Sequence, residues 1–227
     1  GTDNNDAVSI DIAENLVVLG RKTSAGQEFF TFDVANPAQP LLVGKIHLNG
    51  TPNDLKISGN KVFVVSDDNV KELQVVDIVN SSLPVVVASF NLESGNDTAD
   101  ALALDLTSKR LYLGRAGANN APEFYIFNIE NPNSPLLLVA LNIGGNGDDI
   151  HHISFALVKS LAFLLVGDTA NDLQTVDVTN DLSPSVFSKI DVAGSPNQAD
   201  YSPLAQKMFV VGQANPEVQI VSPKTVF

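Results

Sequence analysis

One pattern recurs along this chain with little variation. A short run of β-branched, aromatic or other apolar residues leads to an Asp or Asn, with an Asn three positions later and a Pro seven positions later. The runs are Phe29-Phe30-Thr31-Phe32-Asp33-Val34, Leu73-Gln74-Val75-Val76-Asp77-Ile78, Phe124-Tyr125-Ile126-Phe127-Asn128-Ile129 and Leu173-Gln174-Thr175-Val176-Asp177-Val178. The polar triplets are Asp33/Asn36/Pro40, Asp77/Asn80/Pro84, Asn128/Asn131/Pro135 and Asp177/Asn180/Pro184. A degenerate fifth copy, Val218-Gln219-Ile220-Val221-Ser222-Pro223, puts Ser222 in the acid's place and lacks the triplet's Asn and Pro. Positions 33, 77, 128, 177 and 222 stand 44, 51, 49 and 45 residues apart. A chain built this way folds as an array of like units, each burying its apolar side on its neighbours.

Each unit has room for four strands. In the second they read as residues 55–58, 62–66, 73–78 and 85–92, and the matching second strands elsewhere are residues 16–19, 111–113, 161–166 and 208–211. Four short strands at this period predict an all-β fold, a β-propeller of four-stranded antiparallel blades. One domain, residues 1–227, then carries blades at about 6–48, 52–92, 99–143, 148–192 and 197–227. The apolar runs are nearly continuous because both faces of an inner blade are covered. The Asp and Asn close turns through their own backbone, and the last Pro opens the outer strand, where a missing N–H costs least. The fifth unit stops at Phe227, where its outermost strand would begin, and Asp3-Asn4-Asn5-Asp6 is a poor stretch to supply that strand from the other terminus. Two arrangements stay open: a five-bladed ring with a thin last blade, or part of a larger propeller whose remaining blades lie elsewhere or on a partner.

The segment Leu73-Gln74-Val75-Val76-Asp77-Ile78-Val79-Asn80, and residues 124–143, resemble the LVIVD-repeat β-propellers of bacteria and archaea. The resemblance recurs over nearly the whole chain, with Asn128 and Ser222 departing from the expected Asp. It implies the propeller architecture and a secreted or surface-attached setting. It implies no catalytic residues, because the family is defined by its repeat.

Composition narrows function mostly by exclusion. Thirteen Lys and Arg against 26 Asp and Glu give a formal charge of −13, the wrong sign for a surface that tracks phosphates. The absence of Cys removes disulfides, thiolate chemistry and Cys-type zinc sites. No apolar run approaches the roughly 20 residues of a membrane helix. Residues 1–6 show neither a basic nor an apolar targeting region, and a signal or anchor before residue 1 is not readable from them. No phosphate-binding loop, dinucleotide glycine pattern, zinc-protease helix or nucleophile elbow is present.

Five acids, Asp6, Asp54, Asp100, Asp149 and Asp200, read as preceding the innermost strand of each blade. Ringed around a channel they would offer carboxylate oxygens to Ca²⁺; singly, each would cap an interblade turn. Gly144-Gly145-Asn146-Gly147-Asp148-Asp149 matches six positions of a calcium nonapeptide, but that motif needs stacked copies, so the stretch reads as an interblade loop. His151 and His152 are neighbours in a strand pattern, so they point to opposite faces and cannot chelate together. Arg21 and Arg115 share a Leu-Gly-Arg context at the ends of second strands, as solvated strand ends or as clamps for an anion. Asn49-Gly50-Thr51, Asn80-Ser81-Ser82 and Asn96-Asp97-Thr98 are glycosylation sequons that matter only in a secretory host.

The expected function is a non-catalytic, extracellular or cell-surface module for adhesion to a protein or glycan. Its binding face would be built by the connections of residues 67–72, 116–123 and 168–172. The alternatives are a metal-dependent hydrolase of lactonase-like propeller type using the five Asp, and an assembly subunit whose last blade takes a strand from a partner or another copy.

Overall fold

The structure, a computed structural model, describes residues 6–22, 26–92, 98–116, 121–144, 149–156, 160–167, 170–213 and 217–222. Among these there is no helix, and each blade is an antiparallel sheet whose strands follow one another in chain order. The fold is a β-propeller with five blades, the last of them incomplete. The chain divides into two compact units, residues 1–102 with 129–135, and residues 103–128 with 136–227.

In the first unit, blade 1 is β1 (Ala7–Ala13), β2 (Leu16–Arg21), β3 (Phe29–Asp33) and β4 (Leu41–Ile46). Blade 2 is β5 (Pro52–Ser58), β6 (Lys61–Ser66), β7 (Leu73–Asp77) and β8 (Val85–Phe90). The core of this unit lies between the two sheets, where Val18, Phe29 and Leu48 of blade 1 pack on Leu55, Val62, Val64 and Val76 of blade 2. Every residue of β6 is buried, as the continuous apolar run requires of a strand covered on both faces. β2 has one covered face, and its burial alternates.

In blade 3, β9 (Ala99–Asp105) runs from the first unit into the second, and β10 (Arg110–Arg115), β11 (Phe124–Asn128) and β12 (Leu136–Leu141) follow. Blade 4 is β13 (Ile150–Ala156), β14 (Leu161–Val166), β15 (Leu173–Asp177) and β16 (Ser185–Ile190). Blade 5 has three strands among the described residues, β17 (Pro196–Ser202), β18 (Lys207–Gly212) and β19 (Val218–Val221). The core between blades 4 and 5 joins Phe163, Leu165 and Leu173 to Ala199, Tyr201, Met208 and Val210. Phe163 and Tyr201 stack there with ring centres 5.5 Å apart.

The polar triplets close turns as the sequence predicts. Asp77 Oδ1 accepts the Val79 amide at 2.7 Å and Asn80 Oδ1 the Ser82 amide at 3.2 Å, and the Leu83 amide returns to the Asn80 carbonyl. The same bonds form at Asp33 and Asn36, and at Asp177 and Asn180. Pro40, Pro84, Pro135 and Pro184 each stand immediately before an outer strand. Irregular register falls at one place in every third-to-fourth strand pair, between Thr31 and Phe32, Val75 and Val76, Ile126 and Phe127, and Thr175 and Val176, where a bulge sharpens the twist.

Candidate functional site

The five acids of the candidate calcium collar do not share a register. Asp6 and Asp149 precede β1 and β13, while Asp54, Asp100 and Asp200 are the third, second and fifth residues of β5, β9 and β17. The five therefore do not occupy one equivalent position of the repeat. Their recorded partners belong to the protein itself. Asp54 Oδ1 pairs with Lys56 at 2.9 Å and its Oδ2 accepts the Leu102 amide at 3.0 Å. Asp100 Oδ1 accepts Asn53 Nδ2 at 2.8 Å and Thr98 Oγ1 at 3.0 Å, and Asp200 Oδ1 accepts Ser154 Oγ at 3.1 Å. Asp6 lies 3.7 Å from Lys22 with both side chains exposed, and the Asp149 carbonyl accepts the Gly167 amide. Among the described residues no group of three or more His, Asp or Glu is placed to hold a metal ion.

Asp54 shows what these inner-strand side chains do. An innermost strand has an unpaired edge, and its amides need acceptors. Asp11 Oδ2 supplies one to Ile57 at 2.7 Å, Asp54 to Leu102, and Ser154 Oγ to Tyr201 at 3.1 Å. In each case a side chain on one blade caps an amide on the next.

A second acidic series went unread in the sequence. Glu28, Glu72, Glu123 and Asp172 stand directly before the third strands, and all four are buried. Each carboxylate accepts the amide of the residue twenty positions on, Leu48, Leu92, Ile143 or Val192, just past the fourth strand. Each carbonyl accepts the amide at or just past the end of the second strand, from Arg21, Ser66, Arg115 or Val166. One residue thus ties strands two, three and four of its blade. The signal was available, since an acid precedes every copy of the repeated run. Burial pushes the Asp172 carboxyl up, a hydrogen bond from the Val192 amide opposes this, and the neighbouring Asp191 adds to the rise. The fifth acid, Glu217, keeps the backbone bond from Gly212 but is exposed.

The sequence also misplaced one arginine. Arg115 is 1% exposed. Its Nη1 donates to Tyr125 Oη at 3.0 Å and its guanidinium lies over that ring, so it is a core group and not a solvated strand end. Arg21 lies over the Phe30 ring. His151 is exposed and His152 half-buried on β13, at the place where its register against β14 shifts. Residues 145–148 of the glycine-rich stretch, 117–120 and 168–169 of the expected binding loops, and Asn96 of one sequon lie outside the described residues.

Two features of the second unit remain available for recognition. A cavity of about 380 Å³ opens between blades 4 and 5, floored by Leu161, Phe163, Leu173, Met208 and Val221. Thr175, Ser188 and Lys189 add polar groups to its wall. On the other side of blade 5, Phe209 pairs across with Ile220 and Val211 with Val218, and all four are exposed. In the first unit the outer face of blade 1 is likewise apolar: Val8, Ile10 and Ile12 are exposed, Ile10 by 65%. Ile10 pairs with Leu19 and Ile12 with Val17, which continue the patch.

Comparison with known proteins agrees with this architecture. Residues 49–92, which contain blade 2, match the LVIVD repeat family, so the repeat read in the sequence is shown in that unit. No curated protein matches the chain. Among solved structures, a putative 6-phosphogluconolactonase from Bacteroides uniformis aligns with a TM-score of 0.77 at 11% identity, covering 97% of this chain and 69% of that one. The periplasmic gluconolactonase of Pseudomonas aeruginosa gives 0.76 at 13% identity, with 95% and 66% covered. A nidogen/laminin complex gives 0.62 at 12% identity, with 96% and 80% covered. At these identities the likeness establishes the propeller fold and nothing about activity.

Proposed function

We propose that this chain is a non-catalytic propeller that works outside the cell as an adhesion module, binding a protein or glycan partner or further copies of itself. The observation that carries the protein partner is the pair of open apolar sheet faces, Val8/Ile10/Ile12 in one unit and Phe209/Val211/Val218/Ile220 in the other. Contiguous apolar surface of this kind marks protein interfaces, because leaving it in water forgoes about 25 cal/mol per Å². The extracellular setting is the one implied by the resemblance to the LVIVD-repeat propellers.

The test is light scattering over a wide concentration range, with Ile10→Lys/Ile12→Lys and Phe209→Lys/Ile220→Lys variants. A mass that rises with concentration in the parent and not in the variants supports association through these faces. A glycan array covers the other class of partner. A monomer at every concentration, with no glycan bound, would count against the reading.

The second reading is a metal-dependent lactonase, supported by the two gluconolactonase neighbours. Titration calorimetry with Ca²⁺ and Mg²⁺, followed by lactone turnover, decides it. Heat and turnover that both disappear in Asp54→Asn/Asp100→Asn would establish the enzyme, and their absence would remove it.

A further inference from the structure

We propose that Asn49-Gly50 is a self-modification site, at which the chain's own backbone converts the Asn49 amide to an isoaspartate and so unties the link between blades 1 and 2 from the connection of residues 67–72. The pair lies in the segment between β4 and β5. Asn49 is exposed and Gly50 is buried. Among the described residues, neither the Asn49 side chain nor the Gly50 amide makes a hydrogen bond. The electrophile and the nucleophile of the reaction are thus both free. They are neighbours in the chain, and Gly50 has no Cβ to hinder their approach.

The glycine is fixed by space. A Cβ at position 50 would lie 2.6 Å from the Asp68 amide nitrogen and 2.8 Å from Asp67 Oδ1, so a larger residue does not fit there. No contact among the described residues requires the asparagine. In the link between blades 4 and 5, Val192-Ala193-Gly194-Ser195-Pro196 matches Leu48-Asn49-Gly50-Thr51-Pro52, with Ala193 in place of Asn49 and Pro196 opening β17 as Pro52 opens β5. That link keeps the same backbone bond: the Gln213 amide donates to the Ser195 carbonyl at 3.0 Å, as the Asp67 amide donates to the Thr51 carbonyl at 3.3 Å. The link therefore forms without a side-chain amide, and what Asn49 adds is reactivity.

The reaction needs only water. The Gly50 nitrogen loses its proton to solvent and attacks Asn49 Cγ; the new C–N bond closes a cyclic imide, and the side-chain nitrogen takes a proton from water and leaves as ammonia. Water then opens the imide. Attack at Cγ leaves aspartate in an ordinary backbone, whereas attack at the Asn49 carbonyl carbon leaves isoaspartate, with the chain routed through Cβ and Cγ and lengthened by a carbon. The link has no slack to absorb this. The Leu48 amide is held by Glu28 Oε2 at 2.8 Å with Leu48 1% exposed, and the Thr51 amide by Asp67 Oδ1 at 2.5 Å. Gly50 is packed against Asp68 and cannot move toward it, so the longer backbone and its new carboxylate displace Thr51 from Asp67, the more exposed of the two ties.

The purified chain is incubated at mildly alkaline pH beside a synthetic peptide of residues 45–54, and both are mapped by mass spectrometry, with isoaspartate scored by a methyltransferase specific for it. The native chain should convert Asn49 at a rate within about tenfold of the peptide, because an exposed link opens at a cost near the low end of local stabilities. The isoaspartyl form, separated chromatographically, should lose hydrogen-exchange protection at the Thr51 and Asp67 amides and keep it at Leu48. Asn49→Ala, an exposed change that copies Ala193, should fold as the parent does and retain both protected amides after the same incubation. Asn49 that persists in the native chain while the peptide converts overturns the proposal. So does an isoaspartyl form in which Thr51 and Asp67 stay protected. Asn146-Gly147, the chain's other Asn-Gly pair, is read in a separate fragment of the same map and does not enter the result.

Discussion

Replacing Glu72 by Ala tests whether the buried acids hold the blades together. Glu72 is 3% exposed, its carboxylate accepts the Leu92 amide at 3.2 Å and its carbonyl accepts the Ser66 amide at 3.0 Å. Truncation removes a charge-assisted acceptor, worth about 1.5–3 kcal/mol, and strands the buried Leu92 amide. The backbone bond to Ser66 survives. Against this loss, a buried carboxylate with no cation paired to it among the described residues carries a desolvation cost that the variant sheds, so the lower half of the range, about 2 kcal/mol, is expected. For a domain of this size that is a fall in Tm of roughly 4–8 °C. Glu72→Gln keeps an acceptor oxygen without the charge and should recover most of the loss. Glu217→Ala, at the exposed counterpart, should stay within about 0.5 kcal/mol of the parent. Urea and thermal unfolding followed by circular dichroism measure all three. If Glu72→Ala and Glu217→Ala prove equally mild, the acid is a passive feature of the turn and the clamp does not exist.

Three further outcomes follow from the same structure. The Asp172 carboxyl is raised from its ordinary 3.8, so the native state holds this proton after the unfolded chain has released it. Its contribution is full below the unfolded value and is lost as pH rises through the native one; Asp172→Asn should abolish this dependence and stabilise most at neutral pH, as urea midpoints across that window will show. Gln174 is fully buried with neither side-chain polar atom partnered among the described residues, so Gln174→Leu should raise stability by about 1–2 kcal/mol, and a loss would mean that the amide has a role in the native state. Thr31→Val removes the hydroxyl that holds the Ser81 carbonyl across blades 1 and 2 and should cost about 1–2 kcal/mol in chemical denaturation.

The legible part of this protein is whatever depends on local chemistry repeated in register. An apolar run, an Asx residue that bonds its own backbone and a Pro that starts an edge strand act over a few residues, so Asp77/Asn80/Pro84 and their copies announced strand, turn and strand correctly. The period then announced the blades, because units that bury their faces on one another must be alike. What the repeat could not announce is where a side chain points. The five aspartates looked equivalent by spacing, yet they fall at different positions of the inner strands, and Asp54, Asp100 and Asp200 meet Lys56, the Leu102 amide, Asn53, Thr98 and Ser154 there. Arg115 looked like a solvated strand end because its tendency to lie in water is a property of the residue, whereas its burial against Tyr125 belongs to the packing. The acid before each third strand was visible but mute: only the fourth strand, returning twenty residues later with an unpaired amide, converts Glu28, Glu72, Glu123 and Asp172 into internal clamps. The same holds for the groove beside β19. Its apolar lining is written in the sequence, but whether a neighbour covers those side chains is decided by the fold, since burial is a relation between distant segments and not a property of any one of them.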